Sequence, residues 1–232
     1  MEIEKDFSKL EKLLKVTFVD KNLLIHSCVH RSYLNEHPGF QLTNNERLEF
    51  LGDAVLELIV TEYLYKNYDN DEGELTNWRA SLVNANILSK IAKRLGIEDF
   101  LLLSKGEAKD KNTKARKFIL ADAMEAVIGA IYLDQGYDVT VMFIEENILS
   151  ELSNILENKL YLDAKTRFQE AAQEQVGITP VYKVLEESGP DHAKIFKVGV
   201  YLEEDLIAEG EGSSKQEAQL DAAANACEEK GW

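Results

Sequence analysis

Residues 45–60 read Asn45-Glu46-Arg47-Leu48-Glu49-Phe50-Leu51-Gly52-Asp53-Ala54-Val55-Leu56-Glu57-Leu58-Ile59-Val60. Glu46, Glu49, Asp53 and Glu57 fall at i, i+3, i+7 and i+11, which is one stripe of a helix. A second run, Ile119 to Leu133, is apolar apart from Asp122 and Glu125, three apart and therefore on one face. A solvated amphipathic face accounts for Glu57 and Glu46. It accounts poorly for Asp122 and Glu125, because a solvated face is broad and mixed in sign, whereas these two acids form a narrow slot in an apolar cylinder. Unpaired carboxylates buried side by side are costly. Either their pKa values rise or a cation is bound. A hard divalent ion with oxygen ligands is the natural compensation, and Mg²⁺ needs only a few carboxylates plus water.

Outward from these runs, apolar spacing of three and four continues through most of Phe7 to Asn158, so this part is expected to be all-α. Asn35–Thr43 and Asn67–Glu74 read as loops. After Leu160 the texture changes. Ala164–Val176 reads as an amphipathic helix stopped by Gly177 and Pro180, and Val181–Leu185 as a strand. Ser188–His192 has turn chemistry, and Ile195–Val200 alternates as a second strand. Leu202–Ala208 is the expected third strand, and the serines of the loop Gly210–Ser214 are candidate caps for a helix Lys215–Glu229. The expected organisation is an all-α domain over 1–158, a linker at 159–163, and a small α+β module, α-β-β-β-α, over 164–232.

The chain has 232 residues, 45% of them apolar and 29% charged, which is enough for a real core and excludes global disorder. No apolar stretch approaches the roughly 18 residues of a membrane span. Met1–Asp6 alternates in charge without an apolar core, so no secretory signal is expected. Cys28 and Cys227 form neither a disulfide framework nor a zinc motif, which points to a reduced, cytoplasmic setting. Net charge is −16: residues 1–159 carry 19 Lys/Arg against 27 Asp/Glu and residues 160–232 carry 7 against 15, so each part is acidic by 8. Bulk charge therefore argues against a nucleic-acid partner, but binding depends on where charges sit. Locally, Lys105, Lys109, Lys111, Lys114, Arg116 and Lys117 stand against only Glu107 and Asp110. This cluster reads either as a guide for a phosphate backbone or as an ordinary solvated loop.

Other metal chemistries fail on spacing. His26 and His30 lie at i, i+4 with no general base between them, and no Glu-x-x-His pair exists for a di-iron bundle. An all-carboxylate set points to Mg²⁺ or Mn²⁺ and to phosphate chemistry.

The segment Asn45 to Ala54 resembles the signature of the ribonuclease III family. His30-Arg31-Ser32-Tyr33 and Leu120 to Ala130 sit in that family's order and spacing. The C-terminal unit is similar to a double-stranded-RNA-binding domain through Lys165–Glu170, Gly189–His192 and Gly210–Lys215. The resemblance implies a homodimeric endoribonuclease that hydrolyses double-stranded RNA with divalent metal, leaving 5′-phosphate and 3′-hydroxyl ends. It further implies a role in processing ribosomal and other RNA. Glu49, Asp122 and Glu125 match the metal ligands, Asp53 and Glu125 the catalytic acids, and Glu46 a glutamate of the subunit interface. RNA contacts are expected from Thr166, Gln169, Glu170, His192, Ser213, Ser214 and Lys215, suited to 2′-hydroxyls and phosphates of two minor grooves. Glu72, Glu74 and Glu107 are further acids without an assigned role.

One departure stands out. The last helix opens Lys215-Gln216-Glu217-Ala218-Gln219 where the family usually shows several basic residues. Modest RNA affinity of this module follows. Two alternatives compete with the nuclease reading: a catalytically silent RNA-binding regulator on a nuclease fold, and an acidic interaction domain holding a structural cation. The presence of all four carboxylates counts against the first. The second leaves the lysine cluster without a task.

Overall fold

The computed structural model describes residues 5–110, 113–190 and 194–232. The chain divides into two compact units, Met1–Leu156 and Glu157–Trp232. Among the described residues, the first unit contains helices α1 (Phe7–Leu14), α2 (Lys21–Ser27), α3 (Arg31–Glu36), α4 (Glu46–Asn67) and α5 (Glu72–Leu82). They are followed by α6 (Ala85–Arg94), α7 (Lys105–Lys109), α8 (Lys114–Gln135), α9 (Tyr137–Asn147) and α10 (Leu152–Glu157). No helix among the described residues is long and apolar enough to cross a membrane.

The long helix α8 is the hub. Thr113 caps its start by accepting from the Arg116 N–H at 3.1 Å, and Gly136, with φ of 79°, ends it. Leu120, Met124, Val127, Ile128 and Ile131 are fully buried, each side chain contributing about 1.5–3 kcal/mol by leaving water. α2, α4, α6 and α9 pack around this apolar cylinder. A helix whose faces are nearly all apolar must be surrounded, so the sequence pattern of α8 by itself makes the domain a bundle around it.

Two expected loops differ. Asn67–Glu74 is cut short because Asp71 accepts from the Glu74 N–H at 2.9 Å and starts α5 there, leaving Gly73 inside the first turn. In the lysine-rich stretch, Ser104 accepts from the Glu107 N–H at 3.3 Å and starts the short α7.

The second unit holds α11 (Ala164–Val176), β1 (Val181–Ser188), β2 (Ile195–Leu202), β3 (Asp205–Gly212) and α12 (Lys215–Lys230). The strands form an antiparallel sheet in the order β1-β2-β3, with Val184 opposite Val198 and Val200 opposite Ala208. A two-residue hairpin with Glu203 at φ 54° joins β2 to β3. Val198, Val200 and Leu202 face inward onto Phe168 and Ala172 of α11 and the alanines 218, 222, 223 and 226 of α12.

The third strand runs over 205–212, not 202–208. Leu202 ends β2, and the glycines read as a loop are strand residues. A Cβ at Gly210 would lie 2.1 Å from the Ala222 nitrogen, so α12 lies directly on the backbone of β3. Glycine here serves close approach, not a turn.

Candidate active site

α4 and α8 cross almost backbone to backbone. A Cβ at Gly52 would sit 1.8 Å from the Glu125 carbonyl oxygen, and one at Gly129 would sit 2.3 Å from the Leu48 carbonyl oxygen. Only glycine fits at either point. Glu49 and Asp53 flank Gly52 on α4, and Glu125 lies one turn before Gly129 on α8. The crossing therefore brings Glu49, Asp53, Asp122 and Glu125 into one electrostatic environment.

The proton affinities of Glu49 and Glu125 record that closeness. Burial pushes Glu125 up from 4.5 to about 8, helped by the charges of Asp53, Asp122, Glu49 and Glu57. Burial, then Asp122, Glu46 and Asp53, raises Glu49. Asp122 is raised by burial against a partial offset from Arg31. Asp53 and Glu46 are exposed, whereas Glu49, Asp122 and Glu125 are half-buried. Among the described residues none of these four carboxylates is ion-paired; Arg31 lies 3.9 Å from Glu46 instead. With no positive charge inside the cluster, like-charge repulsion and lost hydration act together.

All-oxygen, all-anionic donors match a hard divalent cation. The side chains do not already converge, since among the described residues no group of three or more His, Cys, Asp or Glu is spaced to hold a metal. The fit is thus one of chemistry and neighbourhood, with the acids close enough that their charges add to the rise of Glu49 and Glu125.

A groove of about 680 Å³ opens beside this crossing. Glu46 and Glu49 form one wall, Ile119 and Asp122 a second, and His30 with Arg31 a third. Glu107 stands on its rim, while Glu72 lines a different groove between α4 and α5. His30 and Arg31 belong to a recognisable motif, yet sequence reasoning gave them no role. Only the fold shows that α3 starts at the groove.

The lysine cluster is not uniform. Lys105, Lys109 and Lys114 are exposed. Arg116, only 3% exposed, is turned inward, donating to the carbonyls of Glu107 and Asp110 and lying 3.8 Å from Glu98. It is a strut holding α7 to the start of α8, not a cation offered to solvent. Lys111 lies outside the described residues.

In the second unit, Gln169 and Glu170 are exposed on α11, with Glu170 3.9 Å from Lys159. Thr166 is turned to the helix start, its hydroxyl donating to Asp163 at 3.1 Å. Ser213, Ser214 and Lys215 come together at the start of α12. Ser214 accepts from the Glu217 N–H at 3.1 Å, and the Glu217 carboxylate accepts from the Ser213 N–H at 2.9 Å, one residue before the cap. Lys215 lies 2.8 Å from Glu187 and 5.5 Å from the centre of the Phe196 ring. His192 lies outside the described residues.

The first unit has the helical fold, and the second the sheet-and-helix fold, of two recognised domain types. A family profile described as Ribonuclease-III-like matches residues 20–152, and one described as Double-stranded RNA binding motif matches residues 164–230. A protein named Ribonuclease 3 from Campylobacter jejuni is 42% identical, covering 98% of this chain and 99% of the relative. One of the same name from Syntrophomonas wolfei is 45% identical over 90% of this chain and 88% of its own. The crystal structure of the nuclease domain of ribonuclease III from Campylobacter jejuni matches with a TM-score of 0.56 and 43% identity, covering 63% of this chain and 96% of that one. The chain belongs to the ribonuclease III family, and its activity is that of a double-stranded-RNA endoribonuclease.

Proposed function

We propose that this chain hydrolyses the backbone of double-stranded RNA at the crossing of α4 and α8, using Mg²⁺ held by Glu49, Asp122 and Glu125, with Asp53 and Glu125 acting in the chemistry. The observation that carries this reading is the unpaired state of the four acids. Burial, helped by the charges of the neighbouring acids, lifts Glu125 to about 8, a cost that a divalent cation would offset. Mn²⁺ has the same ligand preferences and is the expected substitute. When bound, such an ion supplies a Lewis acid that activates water and neutralises charge on the departing oxygen.

The chain's own groups do the rest. Glu49 and Asp53 sit one turn apart on a helix locked by Gly52, so their positions relative to Asp122 and Glu125 are set before RNA arrives. Because burial holds Glu125 up to about 8 without the ion, seating the ion on that carboxylate would release a proton near neutral pH. Products with 5′-phosphate and 3′-hydroxyl ends follow from water attacking phosphorus with the 3′ oxygen leaving.

We infer a homodimer. Phe50, 81% exposed, Leu58 and Tyr65 form an apolar stripe on the outer side of α4, with Glu46 one turn before Phe50. Such a stripe beside a charged helix start suits a second copy of itself. The relative's nuclease domain is itself described as having a region involved in dimer formation. The RNA-binding set in the second unit is Thr166, Gln169, Glu170, His192, Ser213, Ser214 and Lys215, with 159–163 as the linker. Structured RNA precursors, ribosomal ones included, are the expected substrates, and the cytoplasm the expected compartment.

The test is a cleavage assay on a perfectly paired RNA duplex: wild type in Mg²⁺, wild type in EDTA, and Glu125→Gln in Mg²⁺. Cutting by the first alone, with 5′-phosphate ends, is the expected result. A duplex that is bound but never cut, in Mn²⁺ as well, would replace this reading with the silent regulator.

A further inference from the structure

His30 is the N-cap of α3, a position where Ser, Thr, Asp or Asn is strongly preferred. Its imidazole caps poorly, accepting from the Ser32 N–H at 3.3 Å. A residue chosen only to cap this helix would not be histidine. The ring is also pinned from behind. The Ser32 hydroxyl lies 2.8 Å from Nδ1 and itself accepts from the Ser104 N–H at 3.0 Å. The His30 N–H donates to the Leu102 carbonyl at 3.1 Å, fixing the backbone as well. Because Nδ1 accepts, the ring proton belongs on Nε2. Nε2 has no partner among the described residues, and the ring borders the groove that Glu49 and Asp122 share.

Arg31 follows directly. It is the sole permanently charged cation among the described residues lining that groove. Its side chain is 75% exposed, and its distance of 3.9 Å from Glu46 is too long for a hydrogen bond. The guanidinium has donors to spare. An RNA phosphate approaching this groove meets acids on two walls, and the protein's own donors and positive charge stand on the third, beside whatever cation the acids hold.

We propose that His30 and Arg31 form a phosphate-holding wall: the Nε2–H of His30 and the guanidinium of Arg31 donate to the non-bridging oxygens of the RNA phosphodiester that meets Glu49 and Asp122. The proposal rests on the nuclease reading above. Both residues touch substrate, and neither moves a proton. A preorganised neutral donor beside a cation holds an anion without adding a competing charge at the acids.

The experiment uses the full chain and a paired RNA duplex in Mg²⁺ and in Mn²⁺. Steady-state cleavage and thermal melting are followed for His30→Phe, His30→Gln, Arg31→Gln and Arg31→Lys. Loss of a hydrogen bond to a charged group predicts a fall in kcat/KM of ~10–100-fold for His30→Phe and Arg31→Gln. His30→Gln, which keeps a donor near the Nε2 position, is expected within about threefold of wild type on the same hydrogen-bond argument. Duplexes with an Rp or Sp phosphorothioate at the cleaved linkage supply a readout that a structural role leaves unmoved. In Mn²⁺, wild type is expected to discriminate between the isomers by roughly fivefold or more, and Arg31→Gln to lose that discrimination. Equal falls for His30→Gln and His30→Phe, or full discrimination retained in Arg31→Gln, would overturn the wall. Arg31 is exposed, so its variants decide the matter even if His30→Phe does not fold. Wild type failing to cut in both metals would sink the nuclease reading instead, a result no pattern among the variants can imitate.

Discussion

The acidic crossing of α4 and α8 and the start of α12 both gather charge, and they treat it in opposite ways. At the crossing, Glu49, Asp122 and Glu125 are half-buried beside the exposed Asp53 with no ion-pair partner among the described residues, and Glu125 is driven up to about 8. At the start of α12, Lys215 is answered by Glu187 and the Glu217 carboxylate by the Ser213 N–H. The first arrangement is costly unless something binds. The second is stable alone and has little left to offer. A site that waits for a ligand is marked by the charges a fold leaves uncompensated, more than by how many it has.

The sharpest way to break the contrast is through the glycines that hold each place together. Gly52→Ala forces a Cβ to within 1.8 Å of a carbonyl oxygen, and Gly210→Ala to within 2.1 Å of a backbone nitrogen. Each is expected to cost at least ~3 kcal/mol of its own unit, the upper end for overpacking. Gly52→Ala is expected to abolish cleavage and leave the sheet unit's melting unchanged, with Gly210→Ala doing the reverse to stability. Gly39→Ala, with nothing near its Cβ, is the neutral control. Calorimetry of the full chain resolves the units.

Next in size is the apolar stripe beside the acids. Phe50→Asp is expected to weaken the proposed homodimer by roughly 30-fold or more, as for a central aromatic anchor, measured by sedimentation equilibrium.

The uncompensated charge itself is read by pH. Glu125 rises from 4.5 unfolded to about 8 folded, so the folded state binds its proton more tightly. Stability from this group is full below about 4.5 and is lost as pH rises to about 8. In EDTA, Glu125→Gln is therefore expected to melt above wild type by a margin that grows with pH, reaching ~2–4 °C for a site open to solvent on one side. Mg²⁺ should raise wild type more than the variant. A margin that shrinks with pH would contradict the electrostatic account.

The smallest effect belongs to α12. In a Glu125→Gln background, Glu187→Gln frees Lys215 and is expected to tighten duplex binding about threefold and to steepen the salt slope by less than one phosphate contact. Gel shift across a salt series measures both.

Much of this was legible in the sequence, because it rests on local pattern. The stripe through Glu46, Glu49 and Asp53, the slot of Asp122 and Glu125, and α11 from Ala164 to Val176 all depend on neighbours within a few turns. What escaped depends on distant backbone. Gly210 and Gly212 look like a loop until α12 is laid on them, and Gly52 and Gly129 look like helix weaknesses until their helices meet. Arg116 counts as one more surface cation until Glu107 and Asp110 close over it. His30 and Arg31 lacked a role because the groove they border exists only once α3, α4 and α8 are assembled.

The glycine crossing also has a consequence in time. Two backbones in direct contact leave no room for water, so the amides around Gly52 and Gly129 have no small excursion through which to trade hydrogen for deuterium. Their exchange is expected to be the slowest in the chain and to follow opening of the whole helical unit, while the amides of α3 and α7 exchange through local fraying. The acids would then stand on a clock set by the entire domain, and the groove's other walls on a faster one.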